Sequence, residues 1–377
     1  MRGFACLWMF QTHCYDAWLG GNARKGDFFM WSQLGGTLPA PIFLFLAGIS
    51  VALIVGKSCQ RDVAPNKVGR TIVLRGAEIL GIGLLFRLQE FAIALGWAPW
   101  SDLLRVDVLN TIGVSIMLMG ALCWLVLSIS PESRFDGSRA PRALLSASAG
   151  AALVISLLTP LLWTTWRPHW LPWPIESYID GVHNFNQPQS ALFPIFPWTG
   201  FAFAGLAVGF LLLSGWARQK EALTFVAAGG AGVGLFFLSR WIDARPWQIY
   251  AAYDYWHTSP EFFLLRVGLL LVILSAAYAW CRWGAGQWGF SPMVQLGQTS
   301  LLVYWVHLEF VYGRFSILPK RAVDIRTASM GLLTIFLAML LLSWLRTKLN
   351  GRGTEALAWL RGPAKPEDAG DREVSTG

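Results

Sequence analysis

An all-α fold, a polytopic integral membrane helical bundle with about ten transmembrane helices, is what the sequence predicts, and three observations predict it. Hydrophobic residues make up 55% of the chain and charged residues only 14%, where a soluble domain carries about a quarter; the mean hydropathy is +0.48. Apolar windows of about 20 residues, long enough to cross roughly 30 Å of hydrocarbon, recur along the whole length. Lys and Arg gather in the short loops between those windows, where they set orientation and meet anionic headgroups. In a soluble chain the net charge of +8 would suggest nucleic acid. Here it implies a lipid bilayer and no nucleic-acid partner.

In order, the windows run from Gly3 to Leu19, Leu34 to Gly56, Thr71 to Gly96, Val108 to Ile129, Ala143 to Trp163, Ile195 to Ser214, Ala222 to Ser239, Phe262 to Cys281, Pro292 to Gly313 and Thr327 to Thr347. The first does not read as a cleaved signal peptide, because Gln11, Thr12 and His13 interrupt it and no small-residue cleavage site follows. Lys57, Arg61, Lys67 and Arg70 lie between spans two and three, Arg134, Arg139 and Arg142 between four and five, and Arg218 with Lys220 between six and seven. That alternation puts these loops and both termini in the cytoplasm. The loop after span nine, with Arg314, Lys320, Arg321 and Arg326, runs against the count. Residues 1–349 read as one transmembrane domain, and 350–377, rich in Gly, Pro, Asp and Glu, as a disordered cytoplasmic tail.

Polar groups inside these spans are the functional candidates, since each is expensive in hydrocarbon. Span nine, LGQTSLLVYWVHLEFVY, carries most of them. At about 100° per residue Ser300, Tyr304 and His307 share one face and Glu309 lies roughly opposite His307, which points Glu309 more to folding than to chemistry. In span one, Arg2, Cys6, Met9 and His13 follow steps of four, three and four, so Arg2 and His13 share a face about 16 Å apart along the axis. Two histidines near the same depth of two spans suggest one site opening outward, lined by Tyr304. In span three Arg75 with Glu78 and Arg87 with Glu90 stand at i and i+3 and are expected to neutralise each other. Asp107 and Asn110 share a face at the start of span four. A packed, hydrogen-bonded role is the ordinary alternative for every one of these groups.

The long loops from Thr164 to Phe193 and from Arg240 to Glu261 hold Trp166, His169, Trp170, Trp173, Tyr178, His183, Trp247, Tyr250, Tyr253, Tyr255, Trp256 and His257. They read as an aromatic belt at the headgroups or as a platform for a sugar ring. Asp180, His183, Asp254 and His257 form no tight metal motif, and the five cysteines show neither a CxxC pair nor a disulfide framework. No metal is expected.

On the pieces RGFACLWMFQTH, LPAPIFLFLAGIS, LRVDVLNTIG, FPWTGFAFAGLAVG and LGQTSLLVYWVHLEFVYG, the chain resembles the bacterial relatives of heparan-alpha-glucosaminide N-acetyltransferase, from Arg2 to about Leu349. More distantly it resembles the acyltransferase type 3 and OpgC-like families, which also open with Arg-Gly and a His on the first helix. The animal enzymes carry a His followed by Trp-Asn-Gly in the first outer loop and an Asp before the second helix. Here that loop reads GGNARKGDFFMWSQ and Thr37 stands at the Asp position, so His13 is the nearest candidate. Family members also have several residues before Arg-Gly, so a start upstream of Met1 is expected.

The resemblance implies a membrane acyltransferase of the bacterial cytoplasmic (inner) membrane, with acetyl-CoA as co-substrate and an amine or hydroxyl of a sugar or glycolipid as acceptor on the outer side. It implies His13 and His307 as general base or acyl carrier, with Tyr304, Asn110 or Arg105 as oxyanion donors. Arg2, Arg105, Asp107, Asn110 and Glu309 are the expected substrate contacts, and Lys57, Arg61, Lys67 and Arg70 the expected partners of the CoA phosphates. A transporter or flippase of a polar lipid or sugar is the alternative, followed by a non-catalytic scaffold. The oligomeric state stays open, a dimer included.

Overall fold

A computed structural model describes residues 1–94, 99–129, 140–166, 168, 170–181, 192–246, 249–251, 254–284 and 289–360. Arg134, Arg139, His169, His183, Trp247 and Tyr253, singled out above, lie outside them. The described residues form helices only, apart from one isolated bridge between Leu19 and Val323. The chain is a helical membrane bundle. By length and composition seven stretches can cross a bilayer: Asp27–Gln60, Trp100–Ile129, Arg142–Thr164, Ile195–Leu213, Glu221–Asp243, Pro260–Trp283 and Ile325–Leu349.

The remaining windows form helices of other kinds. The first is α1 (Arg2–Trp18), only 17 residues long. Next come α2 (Asp27–Gly36), α3 (Pro39–Gln60) and α4 (Pro65–Ile93), and α4 is apolar between its charges rather than throughout. Then follow α5 (Val108–Ile129), α6 (Ala140–Thr164), the short α7 (Trp173–Ile179), α8 (Ile195–Leu213), the short α9 (Gly215–Gln219), α10 (Glu221–Asp243) and α11 (Pro260–Trp283). Span nine, expected whole, is broken into α12 (Pro292–Gln298) and α13 (Ser300–Val311) at Thr299, whose φ of −116° and ψ of 25° leave the helical region. Side chains of the last helix, α14 (Ile325–Leu360), occupy the break. Gln295 donates to Ser343 (2.9 Å) and Thr347 (3.1 Å), Thr299 donates to Ser343 (2.6 Å), and Ser343 returns a bond to the Gln295 carbonyl (2.9 Å). Polar groups that would be costly alone in hydrocarbon thus satisfy one another. α14 runs on to Leu360, past the expected boundary at 349.

Two large cores organise most of these helices, beside a small cluster of Tyr15, Leu19 and Ala328. One joins α3, α5, α6, α8 and α11 around Phe45, Met119, Phe201 and Leu206; the other joins α1, α13 and α14 with the end of α4 and the start of α5 around Phe10, Trp18, Phe86 and Val303. Phe43 and Ile112 touch both. The pairs α4 with α5, α3 with α8 and α10 with α11 are the most extensively packed. Each has glycines of one helix against backbone of the other: Gly76 and Gly113, Gly48 and Gly205, Gly232 and Gly268. Small residues let helix backbones approach where lipid offers no hydrophobic drive to association.

The loop between α13 and α14 straps the end of α1. Arg321 N–H bonds the Ala17 carbonyl (2.8 Å), Ala322 and Val323 N–H bond that of Trp18 (both 3.0 Å), and Gly20 N–H bonds Val323 O (2.9 Å). These bonds satisfy carbonyls that a helix end leaves orphaned.

Candidate active site

A cavity of about 580 Å³ lies at one end of the bundle, on the seam between the two cores. The last turns of α1, α4 and α13 meet the first turns of α3, α5 and α8 around it, and its lining includes His13 and Asp16 of α1, Arg87 and Glu90 of α4, Asp107 before α5, and Tyr304 and Glu309 of α13.

His13 and His307 meet here. His13 Nδ1 stands 2.9 Å from His307 Nε2, and His307 Nδ1 stands 2.8 Å from the Val303 carbonyl oxygen. The rings are parallel to within 1° with centroids 5.2 Å apart; with a nitrogen contact that short they lie edge to edge in one plane. A carbonyl only accepts, so His307 Nδ1 carries the hydrogen. In the uncharged ring Nε2 is then an acceptor, and His13 Nδ1 must donate to it. His13 is left with a lone pair on Nε2, which has no partner among the described residues. His13 lines the cavity, whereas His307 is fully buried one layer behind it. One imidazole is therefore presented and the other holds it, much as a carboxylate orients the histidine of a catalytic triad.

Tyr304 and Asp107 form the next wall. Asp107 opens α5, its Oδ1 accepting from Val108 N–H (2.8 Å) and from the Tyr304 hydroxyl (3.2 Å), while Arg87 Nη1 reaches Oδ2 at 3.5 Å. The Arg75 to Glu78 pair forms at 2.7 Å. The pair expected between Arg87 and Glu90 does not, because α4 turns Arg87 to the α5 carboxylate. Glu309 faces α4, as its position opposite His307 requires, and accepts from Gln89 Nε2 (2.7 Å), whose Oε1 accepts from Trp305 (2.9 Å). It lines the same cavity as His13, since α13 stands between α1 and α4. That places it where an expected substrate contact would stand, although on the opposite face of α13 from His307.

Other expected residues are not brought to the cavity. Asn110 is buried behind it, donating to the Tyr178 hydroxyl (2.9 Å). Arg2 is exposed at the opposite end of α1. Lys57, Arg61, Lys67 and Arg70 are exposed around the α3–α4 turn, with Lys57 about 25 Å along α3 from the cavity residue Ala40. Arg105 does line the cavity, 3.9 Å from Asp102.

Some lining residues carried no warning. Asp16, one turn beyond His13, accepts from Tyr312 (2.8 Å) and pairs with Arg24 (2.9 Å). Arg314 and Lys320 reach the rim from the strapping loop, and these are two of the cations that broke the positive-inside count. That irregularity was the one signal available. No group of three or more His, Cys, Asp or Glu among the described residues could hold a metal; His257 bonds Asp254 (2.8 Å) at the exposed surface.

Comparison with known families decides the class. Residues 1–242 match the family described as heparan-alpha-glucosaminide N-acetyltransferase, catalytic. The chain belongs to that family. No curated protein matches it. The N-acetyltransferase match takes in His13, Arg87, Arg105 and Asp107, and ends before Tyr304, His307 and Glu309. The two histidines in contact therefore come from opposite sides of its boundary. Membership makes the chain a candidate membrane acetyltransferase.

Proposed function

We propose that this protein moves an acetyl group from cytoplasmic acetyl-CoA to an amine or hydroxyl of a sugar or glycolipid, in the cavity that His13 lines. The observation that carries this reading is the relay from His13 through His307 to the Val303 carbonyl, which gives one cavity imidazole a free lone pair of fixed direction. Family membership supplies the reaction class.

Acetyl transfer requires an acceptor N–H or O–H to lose a proton as it attacks the thioester carbon, and the departing sulfur to gain one. His13 Nε2 takes the first proton and returns it to the sulfur; the His307 bond keeps the ring from turning or changing tautomer between the two transfers. Asp107 and Asp16 line the same cavity as His13, and in this reading their charges are the ones placed to favour the transient imidazolium. Tyr304 keeps Asp107 in place.

The basic loops at the far end of the bundle support a cytoplasmic assignment for that end, which turns the cavity outward in the inner membrane. The acceptor then enters from outside. Arg105, Arg314 and Lys320 give the entrance an affinity for anionic groups on whichever substrate passes it, while Lys57, Arg61, Lys67 and Arg70 stand where donor phosphates would first arrive from the cytoplasm.

The test is radiolabelled acetyl-CoA added to sealed membrane vesicles of each orientation, with a panel of amino sugars and glycolipids. Label should pass to acceptor across the membrane when acetyl-CoA is on the cytoplasmic face. No transfer to any acceptor in either orientation, from membranes that contain folded protein, would refute the reading.

A further inference from the structure

We propose that Arg87 is a catalytic residue, the donor that binds the thioester carbonyl oxygen and holds the negative charge formed there during acyl transfer. The inference rests on the acyltransferase reading and deepens it. Sequence patterning paired Arg87 with Glu90 and offered Tyr304, Asn110 and Arg105 as oxyanion donors.

The geometry removes two of those three. The Tyr304 hydroxyl hydrogen is committed to Asp107 Oδ1, and the Asn110 amide is committed to Tyr178 and does not reach the cavity. Arg105, paired with Asp102 at the half-exposed rim, works in water-like surroundings where a hydrogen bond to an oxyanion gains least.

Arg87 has what they lack. It lines the cavity and is only 8% exposed. Among the described residues its hydrogen-bond partner is Asp107, through Nη1 at a long 3.5 Å. Nε, buried, has no partner among the described residues. An orphaned buried donor of this kind is rare enough in native proteins to call for an explanation. A substrate oxygen supplies one: it would accept from Nε–H and a neighbouring Nη–H of the planar fork, which only arginine offers. Asp107, the anchor of that fork, lines the cavity together with Arg87 and His13, so the two groups border one space.

The step then balances. The acceptor nitrogen or oxygen forms a bond to the thioester carbon and gives its proton to His13 Nε2. The carbonyl π pair moves onto the oxygen held by Arg87. The pair returns as the C–S bond breaks, and the thiolate leaves with the proton carried by His13. No oxidant or further reactant is needed.

The experiment uses the full chain purified in nanodiscs, with labelled acetyl-CoA, glucosamine as amine probe and glucose as hydroxyl probe. Arg87→Lys keeps a cation opposite Asp107 but loses the fork. We expect kcat to fall about 10²- to 10³-fold with acceptor KM within about twofold. The double variant Arg87→Met with Asp107→Asn leaves no buried charge orphaned, and it should be as slow as Arg87→Lys while unfolding at a similar temperature to wild type. A donor with C=S in place of C=O accepts hydrogen bonds poorly; it should slow wild type more than it slows Arg87→Lys. Either variant keeping kcat within about threefold of wild type, or an equal C=S penalty in wild type and Arg87→Lys, would overturn the proposal and leave the acyltransferase reading standing. Wild type inactive with both probes and with the wider panel would take down both.

Discussion

At the scale of single residues the cavity distinguishes a working imidazole from a supporting one. His13→Ala removes the free lone pair and should lower acetyl transfer by roughly 10²- to 10⁴-fold with folded protein retained. His307→Ala leaves His13 present but free to turn, so a smaller loss, about 10- to 100-fold, is expected by analogy with other orienting partners of histidine. Single-turnover rates on matched amounts of monodisperse protein would check both, and equal losses would dissolve the distinction. Tyr304→Phe deletes one of three donors to Asp107, and should cost about 1 kcal/mol of stability in thermal unfolding with a milder effect on rate. Periodicity alone put Tyr304 with His307 and Glu309 opposite them. It could not show that both faces border one cavity, because that depends on which helices flank α13. Arg87 was misjudged for the same reason: i and i+3 spacing describes one helix, and its carboxylate partner is on the next.

At the scale of helices, glycines decide who may be a neighbour. A Cβ on Gly3 would run into the backbone of Met293 in α12, which gives the Arg-Gly opening a packing reason independent of chemistry. Gly3→Ala should therefore destabilise by about 1 to 3 kcal/mol or more, read as a lowered unfolding temperature in detergent, and should lower activity only in proportion to folded protein lost. Ser343→Ala deprives Gln295 and Thr299 of their shared partner across the helix break. An effect of about 0.6 to 2 kcal/mol is expected, the range of hydrogen bonds between membrane helices. Nearly all the helices were legible in the hydropathy, since burial in lipid demands long apolar runs. The break at Thr299 was not. Thr299 lay in a span read for its chemistry, yet what it does is bond α14, and a window average spreads a one-residue interruption over a whole span.

For the whole molecule the testable statement is orientation. The basic turns lie at one end of the bundle and the cavity at the other, so reporter fusions after Gly56 and after Arg142 should report cytoplasm, and a fusion in the strapping loop near Leu318 the outside. An outside report from the Lys57 to Arg70 turn would invert the site and the direction of transfer proposed for it.

The bond between His13 and His307 joins residues 294 positions apart, and the strap that caps α1 arrives later still. A ribosome adding about 5 to 20 residues per second delivers the second imidazole roughly 15 to 60 s after the first. Through that interval the opening helix waits in the bilayer with its histidine unmatched and its last carbonyls uncapped. The contact between the two imidazoles is thus made late and all at once, when the penultimate helix inserts against the first. Until then a nascent chain already carrying the whole of the family-matched region lacks its second imidazole and, on the function proposed above, remains inert.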